Sequence, residues 1–218
     1  MEISAAAQWI NSTFASFDYA LLEFFHNLNI GAAGGFFDFF MGYFTKLGDD
    51  GIFLIILSLL LMVFKKTRKV GTAMLGAVII GALFTNITIK PIIARPRPYH
   101  DEASLFHQWW VDAGSHVESE FSFPSGHTTS AMAAMTGLFF TTNKKVSWTA
   151  FLFAIVMGIT RIYLCVHFPS DILGGLLIGF IAGAISFIIV KFISNSKIKL
   201  FKWFFNFDLF KKKMETES

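Results

Sequence analysis

Residues 70–89, 147–166 and 172–193 are three runs of apolar residues, each almost free of charge. About 20 such residues in a row span the roughly 30 Å hydrocarbon core of a bilayer as a helix, and few soluble helices need so much uninterrupted grease. Residues 51–64 are as apolar but shorter, and lengthening them backward brings in Asp49, Asp50 and Lys46. Residues 128–142 are also short, with Ala131, Ala133, Ala134 and Gly137 suited to close helix contact. Composition supports a membrane reading. Hydrophobic residues make up 54% of the 218 and charged residues only 15%, against about 45–50% and about 25% in soluble domains. The 17 Gly follow no period, Pro is scarce, and Cys165 is the single cysteine. Collagen-like, disordered and disulfide-built classes are therefore excluded.

The expected fold is all-α: a polytopic membrane helical bundle with five transmembrane helices. Residues 17–44 are apolar in pattern but interrupted by Asp18, Glu23, His26 and Asp38, and the run Gly31-Ala32-Ala33-Gly34-Gly35 breaks a helix. They read as two interfacial amphipathic helices; a sixth span is the alternative. No basic segment precedes them, so no cleaved signal peptide is expected. Residues 1–196 then form one membrane domain, with 1–48 interfacial and 49–196 the transmembrane core. Residues 197–218 form a basic tail, in which 197–213 mix Lys with Trp203, Phe204, Phe205, Phe207 and Phe210. That mixture suits a helix lying on the inner leaflet.

Basic residues orient the bundle. With five spans, one side carries 13 Lys and Arg against 3 acids, and the other 5 against 12. The first side is expected to be cytoplasmic and to hold the C-terminus. The basic residues thus serve topology, and no nucleic-acid partner is expected. The five cations left outside are Lys46, Lys90, Arg95, Arg97 and Arg161, and all six His share their side. Cations kept on the face that normally sheds them call for an anion. In Phe123-Pro124-Ser125-Gly126-His127, Ser125 suits a helix N-cap and Gly126 lets backbone amides approach an anion closely. His167 and Asp171 are four apart, one turn if helical. A carboxylate there accepts the Nδ1 proton and leaves Nε2 free as a nucleophile.

Lys90-(six residues)-Arg97-Pro98, Pro124-Ser125-Gly126-His127 and Arg161-(five residues)-His167-(three residues)-Asp171 together resemble the three signature motifs of the type 2 phosphatidic acid phosphatase family. That family shares its site pattern with vanadium haloperoxidases. A weaker likeness extends back to Thr45-Lys46-Leu47-Gly48-Asp49, and Thr160 stands where the family most often has Ser. The resemblance implies a multi-pass lipid phosphatase of the cell membrane, with its site on the extracytoplasmic face and no metal or other cofactor. His167 would form a phosphohistidine, Asp171 would orient it, and His127 would act as acid and then base. Lys90, Arg97, Arg161, the Ser125 hydroxyl and the Gly126 amide would hold the phosphoryl oxygens. Gly126 leans the substrate toward phosphatidylglycerophosphate or phosphatidic acid, because many short undecaprenyl-pyrophosphate enzymes carry an acid there. An undecaprenyl-pyrophosphate phosphatase and a lipid or anion transporter are the alternatives. Arg95, outside the motifs, is expected to face headgroups. The loop 99–123 is expected to act as a lid or substrate guide, with Trp109 and Trp110 at headgroup depth. Oligomeric state is open.

Overall fold

The structure is a computed structural model that describes residues 3–209, and no strand occurs among them. Helix α1 (Ala5–Ile30) starts at Ser4, whose side chain accepts from the Ala7 amide, and stops at Gly31. Helix α2 (Gly34–Thr45) follows the break expected at the glycine run. A 3-10 stretch, Lys46–Gly51, leads into the short helix α3 (Ile52–Val63). It kinks where Asp50 and Gly51 take positive φ, 49° and 67°.

Helix α4 (Arg68–Ile93) is, among the described residues, one of three that are long and apolar enough to cross a membrane. Near its end the seven residues Leu83–Ile89 are π-helical, before a last α-helical turn at Lys90–Ile93. Pro91 explains the widening, because it has no N–H to donate and its ring crowds the carbonyl four residues back. The helix ends at Ala94, in the left-handed region. Residues before proline avoid helical backbone, so Arg95 and Arg97 leave α4 in an extended chain. Helix α5 (Leu105–Asp112) lies in the loop that follows. Helix α6 (Gly126–Thr141) precedes the other two long helices, α7 (Lys144–Tyr163) and α8 (Pro169–Ser194). Helix α9 (Lys199–Asn206) closes the described chain.

Helix α6 sits centrally against α4, α7 and α8. The interfaces use small residues, as lipid-solvated bundles do. A Cβ on Gly179 would lie 2.6 Å from the Thr129 carbonyl oxygen, and one on Gly183 2.4 Å from Thr136 Cβ. Ser186 adds an interhelical hydrogen bond, donating to the Ala73 carbonyl at 2.7 Å. Outward faces carry exposed Phe36, Phe39, Ile56, Leu177 and Phe192. Large apolar side chains outside and small ones inside suit a bilayer rather than water.

Helices α3 and α6 have 12 and 16 residues, about 18 and 24 Å long. Each is shorter than the bilayer core. Arg68 is buried and donates to the carbonyls of Met62, Val63, Phe204 and Phe207, tying α9 to the α3–α4 corner. Phe205 packs inward on Ala73 and Val190, while Trp203 is exposed. The proposed basic tail continues through residues 210–218, which lie outside the described residues. Two loop aromatics pack within the protein. Trp109 is buried against α1, stacked on His26 with ring centroids 5.1 Å apart. Trp110 stacks on Tyr99 at 4.5 Å and donates to the His116 carbonyl.

Candidate active site

The three motifs meet at one end of the bundle. Lys90 comes from the last turn of α4, and Arg97 from the extended chain after it. Ser125, Gly126 and His127 open α6, Arg161 ends α7, His167 lies in the turn to α8, and Asp171 is in the first turn of α8. A cavity of about 280 Å³ is lined by Lys90, Arg97, Gly126, His127 and His167. Asp171 stands behind His167, outside that lining.

Ser125 is the N-cap of α6, as expected. Its Oγ accepts from the Thr128 amide and from Thr128 Oγ1, at 3.5 and 3.1 Å, so its own O–H remains available. A Cβ on Gly126 would lie 3.9 Å from Lys90 Nζ, an ordinary contact distance, so the start of α6 faces that cation.

His167 is 1% exposed. Its Nε2 lies 3.2 Å from Arg97 Nη1. A guanidinium can only donate, so Nε2 is the accepting nitrogen and the proton sits on Nδ1. Nδ1 faces Asp171 Oδ2 and Ser122 Oγ, both at 3.4 Å. Burial, and then the positive charges of Arg97, Arg161 and Lys90, hold His167 well below the usual histidine range. The imidazole is therefore neutral, with an unprotonated Nε2 whose lone pair accepts from Arg97. Arg97 Nη1 also donates to the Val166 carbonyl at 2.9 Å, fixing the turn that carries the histidine.

Lys90, Arg97 and Arg161 are 5%, 6% and 2% exposed. Buried cations need compensation, and the loop supplies it. Glu120 pairs with Lys90, and Glu118 pairs with Arg161 and lies 3.8 Å from Arg97. Burial pushes the Glu118 carboxyl up, but the two guanidiniums outweigh it and hold the group below the usual range. Arg161 Nη1 donates to Thr45 Oγ1 at 2.6 Å. Its Nε is buried with no hydrogen-bond partner among the described residues. Carboxylate oxygens of the loop thus sit on donors of all three cations.

The expectation that Arg95 faces headgroups is corrected. Arg95 is 1% exposed and paired with Asp18 and Asp171. The left-handed turn at Ala94 and the extended backbone before Pro96 send it between α1 and the start of α8, where two carboxylates offset its charge.

Sequence reasoning also missed Asp49 and Ser122. Asp49 Oδ1 lies 3.1 Å from His127 Nε2. Ser122 donates to Asp171 Oδ2 at 2.5 Å. The weak likeness at residues 45–49 was a usable signal for Asp49; Ser122 had none. Among the described residues, no group of three or more His, Cys, Asp or Glu side chains is placed to hold a metal.

A multi-helix membrane protein with clustered buried cations and two histidines, each backed by a carboxylate, belongs to the class of phosphoryl-handling membrane enzymes. The PAP2 superfamily matches residues 70–194, and the chain belongs to it. It is 31% identical over 150 residues to undecaprenyl-diphosphatase BcrC of Bacillus subtilis, covering 69% of this chain and 73% of that protein. It is 34% identical over 146 residues to phosphatidylglycerophosphatase B of the same organism, covering 62% of this chain and 64% of that protein. Among solved structures, it is similar to a transmembrane PAP2-type phosphatidylglycerolphosphate phosphatase from Bacillus subtilis. That likeness has TM-score 0.61 and 26% identity, over 89% of this chain and 92% of the other. The chain is a membrane lipid phosphate phosphatase.

Proposed function

We propose that the protein removes a terminal phosphate from a lipid phosphate or pyrophosphate at the outer leaflet, through a phosphohistidine on His167. The observation that carries this reading is the neutral, cavity-facing Nε2 of His167, set among Lys90, Arg97 and His127 with its Nδ1 toward Asp171.

Substrate phosphate displaces Glu118 and Glu120 from Arg161, Arg97 and Lys90. The three cations, the Ser125 hydroxyl, the Gly126 amide and Arg161 Nε then hold its oxygens. Phosphoryl transfer needs positioning and charge stabilisation above all, and these donors supply both without a metal. Arg97 turns Nη1 from His167 Nε2 to a phosphoryl oxygen. The freed Nε2 lone pair forms a bond to phosphorus as the bond to the lipid oxygen breaks, and His127 gives that oxygen a proton. Asp171 holds the Nδ1 proton and offsets the charge that builds on the ring. Water then attacks phosphorus while His127 takes its proton. The P–N bond breaks, and inorganic phosphate and neutral His167 are regenerated.

Glycerophospholipid monophosphates, of the phosphatidylglycerophosphate or phosphatidic acid type, are the favoured substrates, with undecaprenyl pyrophosphate the alternative. A second, larger cavity of about 710 Å³ shares Lys90, Arg97, Glu118 and Glu120, and adds Ile3, Pro91, Ala94 and Phe121. It offers room for the apolar part of a lipid beside the clamp. The loop 99–123 is then a lid whose two carboxylates hold the clamp until substrate arrives. We place the chain in the membrane with five spans, the site extracytoplasmic and the C-terminus cytoplasmic, residues 1–196 forming one domain and 197–218 a tail.

The test is phosphate release by purified protein from a panel of lipid mono- and pyrophosphates at matched detergent ratio. Release from a lipid phosphate, lost in His167→Ala and His127→Ala while lipid binding persists, is the expected result. Binding without release by the unaltered protein would instead support a transporter, and full activity in His167→Ala would overturn the mechanism.

A further inference from the structure

We infer that Arg95, clamped by Asp18 of α1, is a positioning residue for the His167–Asp171 pair, which makes the N-terminal helix a working part of the active site. This rests on the roles proposed for His167 and Asp171.

Every nitrogen of the Arg95 guanidinium is engaged. Nη1 donates to Asp171 Oδ1 at 2.5 Å and to Ser170 Oγ at 2.7 Å. Nη2 donates to Asp18 Oδ2 at 2.8 Å, and Nε to Asn11 Oδ1 at 2.8 Å. The plane lies over the Phe168 ring, 4.0 Å from its centroid. Asp18 is 3% exposed despite its place in a helix that otherwise presents many exposed residues. Its Oδ1 accepts from the Ser170 amide and its Oδ2 from Ser170 Oγ, both at 2.7 Å. Asp18 thereby also caps the start of α8.

The consequence falls on Asp171. Its Oδ1 is taken by Arg95. Its Oδ2 accepts from Ser122 Oγ at 2.5 Å and from the Phe168 amide at 2.8 Å, and faces His167 Nδ1. With both oxygens fixed, the carboxylate cannot rotate, and one oxygen stays aimed at the imidazole. Arg95 does this without touching the substrate cavity; it lines a separate surface cavity with Asn11, Asp18 and Phe168.

Charge explains why two carboxylates are present. Asp171 with Arg95 alone is a neutral pair, with little attraction for an imidazole gaining positive charge. Asp18 restores a net charge of minus one to the group. That charge opposes the cations facing His167, namely Arg97, Arg161, Lys90 and, when protonated, His127. A fixed counter-charge of this kind favours the transition state because it needs no reorganisation.

The test uses the full-length protein in detergent, with Arg95→Gln, Arg95→Lys, Asp18→Asn and His167→Ala. The kcat of Arg95→Gln should fall about a hundredfold with KM unchanged, and Arg95→Lys should recover part of the loss. The acid limb of the kcat profile reports protonation of His167, which must be neutral to attack. Removing a nearby positive charge in Arg95→Gln should move that limb to higher pH; removing a negative charge in Asp18→Asn should move it to lower pH. Should Arg95→Gln fail to purify folded, the Asp18→Asn limb and the Arg95→Lys kcat decide. Acid limbs that stay put or move together, or a wild-type kcat in Arg95→Lys, overturn the inference. Activity surviving in His167→Ala would instead sink the nucleophile assignment and leave Arg95 structural.

Discussion

Asp49 Oδ1 lies 3.1 Å from His127 Nε2, so His127, like His167, has a carboxylate of its own. The two pairs differ in burial. The side chain of Asp171 is fully buried, whereas that of Asp49 is 58% exposed. Burial and the charges of Arg161, Arg97 and Lys90 push the pKa of the ligand-free His127 ring down to about 3. The proposed acid therefore takes up its proton when bound phosphate offsets those cations, and the exposed Asp49 carboxylate orients the ring while leaving that proton exchangeable. Asp49→Asn should lower kcat about tenfold or more, leave KM near its normal value and distort the pH profile. Steady-state rates across pH check this; a wild-type profile would remove Asp49 from the mechanism.

The same 3-10 stretch makes room for the histidine. A Cβ on Gly48 would come within 2.5 Å of His127 Cδ2 and 2.8 Å of Met157 Sδ. Gly48→Ala should therefore shift His127 and reduce kcat about tenfold to a hundredfold, with unchanged yield of folded protein. Normal kcat in this variant would mean that the ring moves freely.

Glu118 and Glu120 occupy the proposed phosphate clamp, so removing their charges should have two opposite effects. The double variant Glu118→Gln, Glu120→Gln should show a KM lower by about tenfold, or about 1.4 kcal/mol in apparent affinity. Its melting temperature without ligand should fall, since three buried cations lose their counter-charges. Orthovanadate should restore it, because an anion bound only to the native state stabilises that state. A raised KM would show instead that the glutamates help to bind substrate.

The histidine assignment has a direct spectroscopic check. Burial and three neighbouring cations hold His167 below the usual histidine range, so its folded value lies under its unfolded one, about 6.5. Protonation then favours the unfolded chain, and as pH falls below 6.5 this histidine lowers stability. Nitrogen chemical shifts of labelled His167 in the ligand-free protein should show a neutral ring with Nδ1 protonated at pH 6.5. An imidazolium at that pH would contradict the geometry.

Chemistry without a metal predicts activity that survives EDTA. Vanadate, which takes up the five-coordinate geometry of the phosphoryl transition state, should inhibit. Activity lost to EDTA and restored only by Mg²⁺ would require a different account of the clamp.

Much of the fold was legible because bilayer solvation leaves a crude signal. Three helices long and apolar enough to cross lie where the hydropathy runs put them, and the glycine run at 31–35 does break α1 from α2. The N-cap at Ser125 was legible because capping is a local matter of one side chain and the amides after it. The buried role of Arg95 was not legible. Its partners are 77 and 76 residues away, at Asp18 and Asp171, and nothing in the local pattern distinguishes an arginine among lipid headgroups from one inside.

By itself, then, the sequence determined the membrane class and the three motifs, since span length and residue type are properties of local chain chemistry. Only the tertiary structure decided which groups face one another: Glu118 and Glu120 on Lys90, Arg97 and Arg161, Asp49 on His127, and Asp18 through Arg95 on Asp171. Coulombic and hydrogen-bond partners are chosen by distance in space, and the turn at Ala94, the kink at Asp50 and the packing of α1 on α8 set those distances.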